Sequence, residues 1–133
     1  MASIKRFEDI IAWQKARALS NEIDLLITNS QLAKDYKLKE QINGSSGSIM
    51  DNIAEGFGRG GNLEFIQFLE ISHGSACECQ SQLYRIIDRK YITEEKFTVL
   101  YNLCEEIKKI NLSLIHYLSA SENKGIKYSL RNK

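Results

Sequence analysis

Gln41-Ile42-Asn43-Gly44-Ser45-Ser46-Gly47-Ser48-Ile49-Met50-Asp51-Asn52-Ile53-Ala54-Glu55-Gly56 is the stretch that decides the fold. Its middle, Asn43 to Ser48, has the composition of a flexible linker. Two glycines inside a helix cost about 1 kcal/mol each relative to alanine. Yet Leu38, Ile42, Ser45, Ile49, Asn52 and Gly56 keep the alternating four- and three-residue spacing of one helix face, with Ile53 beside them. The register crosses the polar stretch in phase. It predicts one helix from Lys34 to Gly56, the alternative being a loop that splits it. Small residues there would also let another backbone approach closely.

The same spacing organises the rest of the chain. Ala12, Ala16, Leu19, Ile23 and Leu26 predict a helix from Glu8 to Thr28, flanked by Trp13, with Glu8 and Asp9 in its first turn. Phe65, Phe68, Leu69, Ser72, Ala76, Cys79, Leu83, Ile86 and Ile87 predict a third from Asn62 to Lys90, with Asn62 as N-cap and a small-residue waist at Ser72, Gly74, Ser75 and Ala76. Phe97, Leu100, Cys104, Ile107, Asn111, Leu114 and Leu118 form a heptad face on a fourth, from Thr93 to Ser121. Short links between long helices make antiparallel neighbours. The expectation is an all-α, antiparallel up-down-up-down four-helix bundle over residues 1–121. A second stripe on the fourth helix, Val99, Leu103, Ile110 and Tyr117, exceeds what one bundle core needs and points to self-association.

Composition agrees. The 133 residues include no proline, and 18 Lys plus Arg nearly balance 17 Asp plus Glu. The charge is uneven. Residues 122–133 carry four basic residues against Glu122, a net +3, and are expected to form a basic, flexible tail. Residues 1–121 keep 14 basic against 16 acidic residues, a net −2. The body is therefore not a basic nucleic-acid module by composition. Cys77, Cys79 and Cys104 lack metal-site spacing and read as reduced thiols of a cytosolic protein. No apolar run reaches membrane-spanning length and the N-terminus lacks a signal-peptide block, so the chain is expected to be soluble and cytoplasmic.

Three constellations bear on chemistry. Gly56 is placed as a helix stop, followed by a turn through Gly58, Gly60 and Gly61. Without a following lysine or preceding strand, this is not a phosphate-binding loop of Walker type. Arg59 at its tip is a candidate for an anion or a neighbouring subunit. Asn52 and Glu55 read as structural links to a helix end or facing helix, because a buried amide left unbonded costs about 1–3 kcal/mol. Glu70 and His73 form a single ExxH, but the only other histidine, His116, is preceded at that spacing by Ser113. A di-metal carboxylate site is thus not expected. A site from His73, Cys77 and a carboxylate competes with a plain interface histidine. No catalytic, cofactor-binding or metal residues are assigned, and no enzyme is expected.

Phe7-Glu8-Asp9-Ile10 with Trp13-Gln14-Lys15-Ala16, then Gln41-Ile42, Ser48-Ile49 and Asn52-Ile53-Ala54-Glu55-Gly56, then Glu64-Phe65, Phe68-Leu69 and Gly74-Ser75 before Glu78, carry a resemblance. Over roughly residues 5–120 the chain resembles bacterial four-helix bundle proteins encoded in 23S rRNA intervening sequences. The accessory variability determinants of diversity-generating retroelements belong to the same group. The resemblance implies a cytosolic homopentamer without enzyme activity. In the retroelement branch it implies binding to nucleic acid and to a reverse transcriptase through a basic surface. This chain departs from the pattern at Asn43-Gly44-Ser45-Ser46-Gly47, where the family carries basic residues. The remaining nucleic-acid-binding candidates are Lys15, Arg17, Arg59, Arg85, Arg89 and Lys90, with the tail lysines. The leading expectation is a non-catalytic, pentameric scaffold binding RNA or DNA weakly through repeated basic patches. The alternatives are a protein-binding adaptor with no nucleic-acid role, and a metal-dependent enzyme using Glu70 and His73.

Overall fold

The structure, a computed structural model, describes the backbone of residues 4–132 and the side chains of residues 4–121. Four long helices carry the chain: α1 (Ile11–Asn29), α2 (Tyr36–Gly58), α3 (Asn62–Asp88) and α4 (Glu94–Asn132). Short 3-10 turns, Phe7–Asp9 and Gln31–Lys34, precede α1 and α2. Among the described residues there is no strand. Each helix packs on the next, most extensively α2 on α3, and α1 closes against α4. This is the expected all-α four-helix bundle, with α2 unbroken through Asn43–Ser48. The backbone of α4 continues past Ser121, the expected end of the fourth helix, to Asn132; the side chains of the expected basic tail, 122–133, lie outside the described residues.

The sequence stripes are the core. Ala12, Ala16, Leu19 and Ile23 of α1 meet Leu38, Ile42, Ile49 and Ile53 of α2, Leu69, Ala76, Leu83 and Ile86 of α3, and Leu100, Ile107 and Leu114 of α4. Polar groups inside are tied together across helices. Asn111 Nδ2 donates to Ser72 Oγ at 3.0 Å, and Ser72 donates to the Ile49 carbonyl at 2.8 Å, joining α4, α3 and α2. Buried Ser45 meets Gln82 Oε1 at 2.5 Å. The waist of small residues is thus a hydrogen-bonded seam.

Helix ends depart from expectation where side chains cap them. Asp9 Oδ2 accepts from the Lys5 and Arg6 amides, each at 3.2 Å, which closes the 3-10 turn and delays α1 to Ile11. Glu8 and Asp9 therefore lie in that turn rather than in α1. Asp35 Oδ1 accepts from Leu38 N at 3.4 Å and starts α2 at Tyr36, not Lys34. Gly61 is the N-cap of α3 and Asn62 its first residue, which corrects the role given to Asn62. Thr93 Oγ1 accepts from Lys96 N at 3.2 Å and begins α4.

Gly56 is also corrected. It is a helical residue inside α2, and the left-handed glycine is Gly60, at φ +85°. A Cβ at Gly56 would lie 2.5 Å from Phe68 Cβ. Gly56 is needed because α3 comes that close, not because the helix stops there. Gly44 and Gly47 show the reverse: a Cβ at either would meet nothing within 4 Å. At the linker-like stretch α3 approaches on the serine side, where Ser48 Oγ lies 2.9 Å from Ser75 Oγ, while the glycine Cβ positions face open space.

Candidate interaction surfaces

The second apolar stripe of α4 lies on its seam with α1. Lys15 bonds Glu106 at 2.7 Å and Lys96 bonds Glu22 at 2.5 Å, both across this seam. Ile11, Ala18 and Leu25 stand seven residues apart around Lys15 and Glu22, so helical spacing sets them on the same side. Val99 stands three residues beyond Lys96. Ile11 and Val99 are each 56 % exposed, Leu25 53 % and Tyr117 50 %. At one end of the seam Ile11 and Tyr117 share a cleft of about 320 Å³ with Ile4, Ile10, Ile110 and Leu114, its walls completed by Asp9 and Ser113. Four large apolar side chains half in water along one seam are an unpartnered face.

The basic candidates are scattered. Lys15 is held by Glu106. The Arg17 guanidinium lies 5.8 Å over the Trp13 ring. Arg59 bonds Glu55 at 2.8 Å and lies 5.1 Å over Phe68, at the α2–α3 turn. Arg85 Nη2 donates to Gln41 Oε1 at 2.9 Å. Arg89 Nη1 donates to Asp35 Oδ2 at 2.6 Å. Lys90 is exposed just past the end of α3, in the left-handed region at φ +61°. Only Arg85, Arg89 and Lys90 share one end of the bundle.

Sequence reading missed the clamp at that end. Asp35 caps α2, accepts from Arg89, and accepts from the Tyr91 hydroxyl at 3.0 Å. The Arg89 hydrogen bond holds the Asp35 carboxyl below its usual range, and the same carboxylate pushes the Tyr91 phenol up. A second missed cluster sits between α3 and α4. Gln80 Nε2 donates to Glu105 Oε1 at 2.9 Å, and Lys108 Nζ donates to Gln80 Oε1 at 3.0 Å and Glu105 Oε1 at 2.9 Å. The Gln80 and Lys108 hydrogen bonds lower the Glu105 pKa, and Glu105 in turn raises that of Lys108. The signal was present in the spacing of Glu105 and Lys108, but the partner on α3 was not.

Asn52 bonds within α2 rather than to a helix end or facing helix. Asn52 Nδ2 donates to the Ser48 carbonyl at 2.8 Å and to Ser48 Oγ at 2.9 Å, and Ser48 Oγ lies 2.9 Å from Ser75 Oγ on α3. Glu55 serves Arg59. Gly56 admits Phe68. Among the described residues no three His, Cys, Asp or Glu side chains converge as metal ligands, so His73 and Cys77 gain no carboxylate partner. Nor is any described helix long and apolar enough to cross a membrane.

A family model described as 23S rRNA-intervening sequence protein matches residues 8–113. Among solved structures, the crystal structure of a protein of unknown function from the S23 ribosomal protein family of Bacteroides thetaiotaomicron VPI-5482 is 29 % identical, with a TM-score of 0.72. The match covers 79 % of this chain and 98 % of that one. No curated protein matches.

Proposed function

We propose that this chain, which belongs to the 23S rRNA-intervening sequence protein family, is a non-catalytic cytosolic scaffold that assembles with copies of itself through the α1–α4 seam. The observation that carries the reading is the pair Ile11 and Tyr117, half exposed at one cleft, with Leu25 and Val99 set along the same seam by helical spacing. Burying a large apolar side chain is worth about 1.5–3 kcal/mol, so four in every copy supply a driving force for association. A ring of five, as the family resemblance implies, cannot use a two-fold contact. The seam of one copy then meets a different surface of the next.

Weak binding of RNA or DNA is the second part of the proposal, with Lys90, Arg17 and their symmetry copies as phosphate contacts. Repetition around a ring gives avidity that one site lacks. The reading as an adaptor for a protein partner, a reverse transcriptase among them, without a nucleic-acid role is favoured by one observation. Lys15, Arg59, Arg85 and Arg89 are already held by Glu106, Glu55, Gln41 and Asp35.

Light scattering at micromolar concentration tests the scaffold. The native chain is expected to be an oligomer, and V99E with Y117E to be a monomer of unchanged helicity by circular dichroism. A monomeric native chain would overturn the reading. Anisotropy with a labelled structured RNA and a DNA duplex at about 50 and 200 mM salt separates the two variants of function. Binding that collapses with salt supports the phosphate surface; none at low salt leaves the adaptor.

A further inference from the structure

Two of the three thiols lie in the core. Cys79 on α3 and Cys104 on α4 are both fully buried, whereas Cys77 is exposed. Their level is fixed by their sequence neighbours. Gln80 donates to Glu105 at 2.9 Å and to the Tyr101 carbonyl at 3.3 Å, pinning α3 to α4 at this height. Cys79 and Cys104, one residue before each partner of that bond and on the core side, thus come together. The neighbouring Cys79 thiol and burial push the Cys104 thiol far up.

We propose that Cys79 and Cys104 form an inter-helix disulfide on oxidation by a small disulfide of the glutathione type, tying α3 to α4. The step balances as two thiol–disulfide exchanges. The first protein thiolate attacks the small disulfide, forms a mixed disulfide and releases one small thiol. The second protein thiolate attacks the protein sulfur of that mixed disulfide, forms the Cys79–Cys104 bond and releases the second small thiol. The protein loses two electrons and two protons, and the small disulfide gains both. The thiolate is the attacking species, so the closed bundle resists the reaction and opening of α4 from α3 admits it. The crosslink then records an opening event and prevents the next.

The full chain carrying C77S, which removes the exposed competitor, tests this. It is incubated with oxidised glutathione at a urea concentration that opens the bundle reversibly, then returned to buffer. Non-reducing peptide mapping should show the segments around residues 79 and 104 joined, with a mass loss of two hydrogens. The thermal midpoint should rise by roughly 10 °C, as closing a loop of this length predicts, and fall back on reduction. In native buffer the linked form should accumulate at least tenfold more slowly. Two stable mixed disulfides, thiols left reduced after opening, or a linked chain with a lowered midpoint would each overturn the proposal. C104A in the same background controls for linkage between chains.

Discussion

Replacing Gly56 with alanine tests the packing of α2 on α3 most directly. Helix propensity alone favours the change by about 1 kcal/mol, because Gly56 lies inside α2. Sterics oppose it. The new methyl would stand 2.5 Å from Phe68 Cβ, 3.1 Å from Phe65 Cδ1 and 3.3 Å from Phe68 Cγ. The Phe65 ring can turn, but Phe68 Cβ is fixed to the α3 backbone and no rotamer moves it. Ordinary carbon contact lies near 3.5–4.0 Å, so α2 and α3 must part locally by roughly 1 Å. Overpacking of this kind costs about 1–3 kcal/mol, and the backbone origin of the clash puts G56A at the upper end. The net is a loss of about 2 kcal/mol, or roughly 8 °C in midpoint for a chain of this size. G44A and G47A invert the sign, since nothing lies within 4 Å of either Cβ. Each should gain about 0.5–1 kcal/mol. Urea unfolding followed by circular dichroism, at one fixed protein concentration, measures all three through the transition midpoint at unchanged slope. A stabilised G56A would refute the close approach. A destabilised G44A would place a neighbouring copy on α2 rather than on the α1–α4 seam.

Three further outcomes follow from the geometry. Lys90 closes α3 in the left-handed region, with Tyr91 N bonded to the Ile86 carbonyl at 3.1 Å and Lys90 N to that of Ile87 at 2.9 Å; K90G should raise stability by about 1 kcal/mol in urea unfolding. Asp35 has a lowered folded pKa caused first by Arg89, so its stabilisation is full above the unfolded carboxylate value and is lost as pH falls through the lower folded one. The midpoint gap between the native chain and D35N should therefore be largest at neutral pH and close in acid, in thermal melts from pH 7 to 2. Asn111 Oδ1 is buried without a hydrogen-bond partner, so N111L, which keeps the heavy-atom count and branching and leaves Ser72 its bond to Ile49, should be neutral or stabilising by about 1 kcal/mol in the same urea assay.

How far the sequence could be read depended on whether a residue's partner was local. The run through Asn43–Ser48 could be read as helix because its evidence, the phase of Leu38, Ile42, Ser45 and Ile49, lies within one element. The buried position of Asn111 was legible for the same reason, since it falls on the heptad of α4. Its bond to Ser72 was not, because that depends on how α4 sits against α3. Gly56 was misread as a stop because only the approach of Phe68 reveals its purpose. The end of α3 carried no glycine to mark it, and Lys90 takes the left-handed position regardless. Helix starts slipped by two or three residues where Asp9 and Asp35 turn their side chains back on the chain. Of the surplus stripe read on α4, only Val99 and Tyr117 are exposed, while Leu103 and Ile110 pack partly against the core, because how far α1 covers α4 is set by tertiary packing.

Charge was the least legible property, and it weighs most on function. From the sequence, Lys15, Arg59, Arg85 and Arg89 look like free cations on helix surfaces. In the fold each has a partner at 2.6–2.9 Å. A cation paired to a carboxylate contributes to phosphate binding only after that pair is given up. Exposed pairs are worth at most about 1 kcal/mol, so the exchange is possible, but the exchanged carboxylate then stands beside the phosphates. Counterion release scales with the number of phosphates neutralised, about 0.9 in the salt slope for each. Counting Lys90, Arg17 and Arg85, whose Gln41 partner is a neutral amide, gives a slope near −3 per copy, against roughly −5 if all six candidates engaged. The measured slope, divided by the copies that touch the nucleic acid, thus separates a surface that uses its arginines on nucleic acid from one that uses them to hold α2 against α3. The Asp35–Arg89 clamp, set by the helix cap it completes, argues for the second.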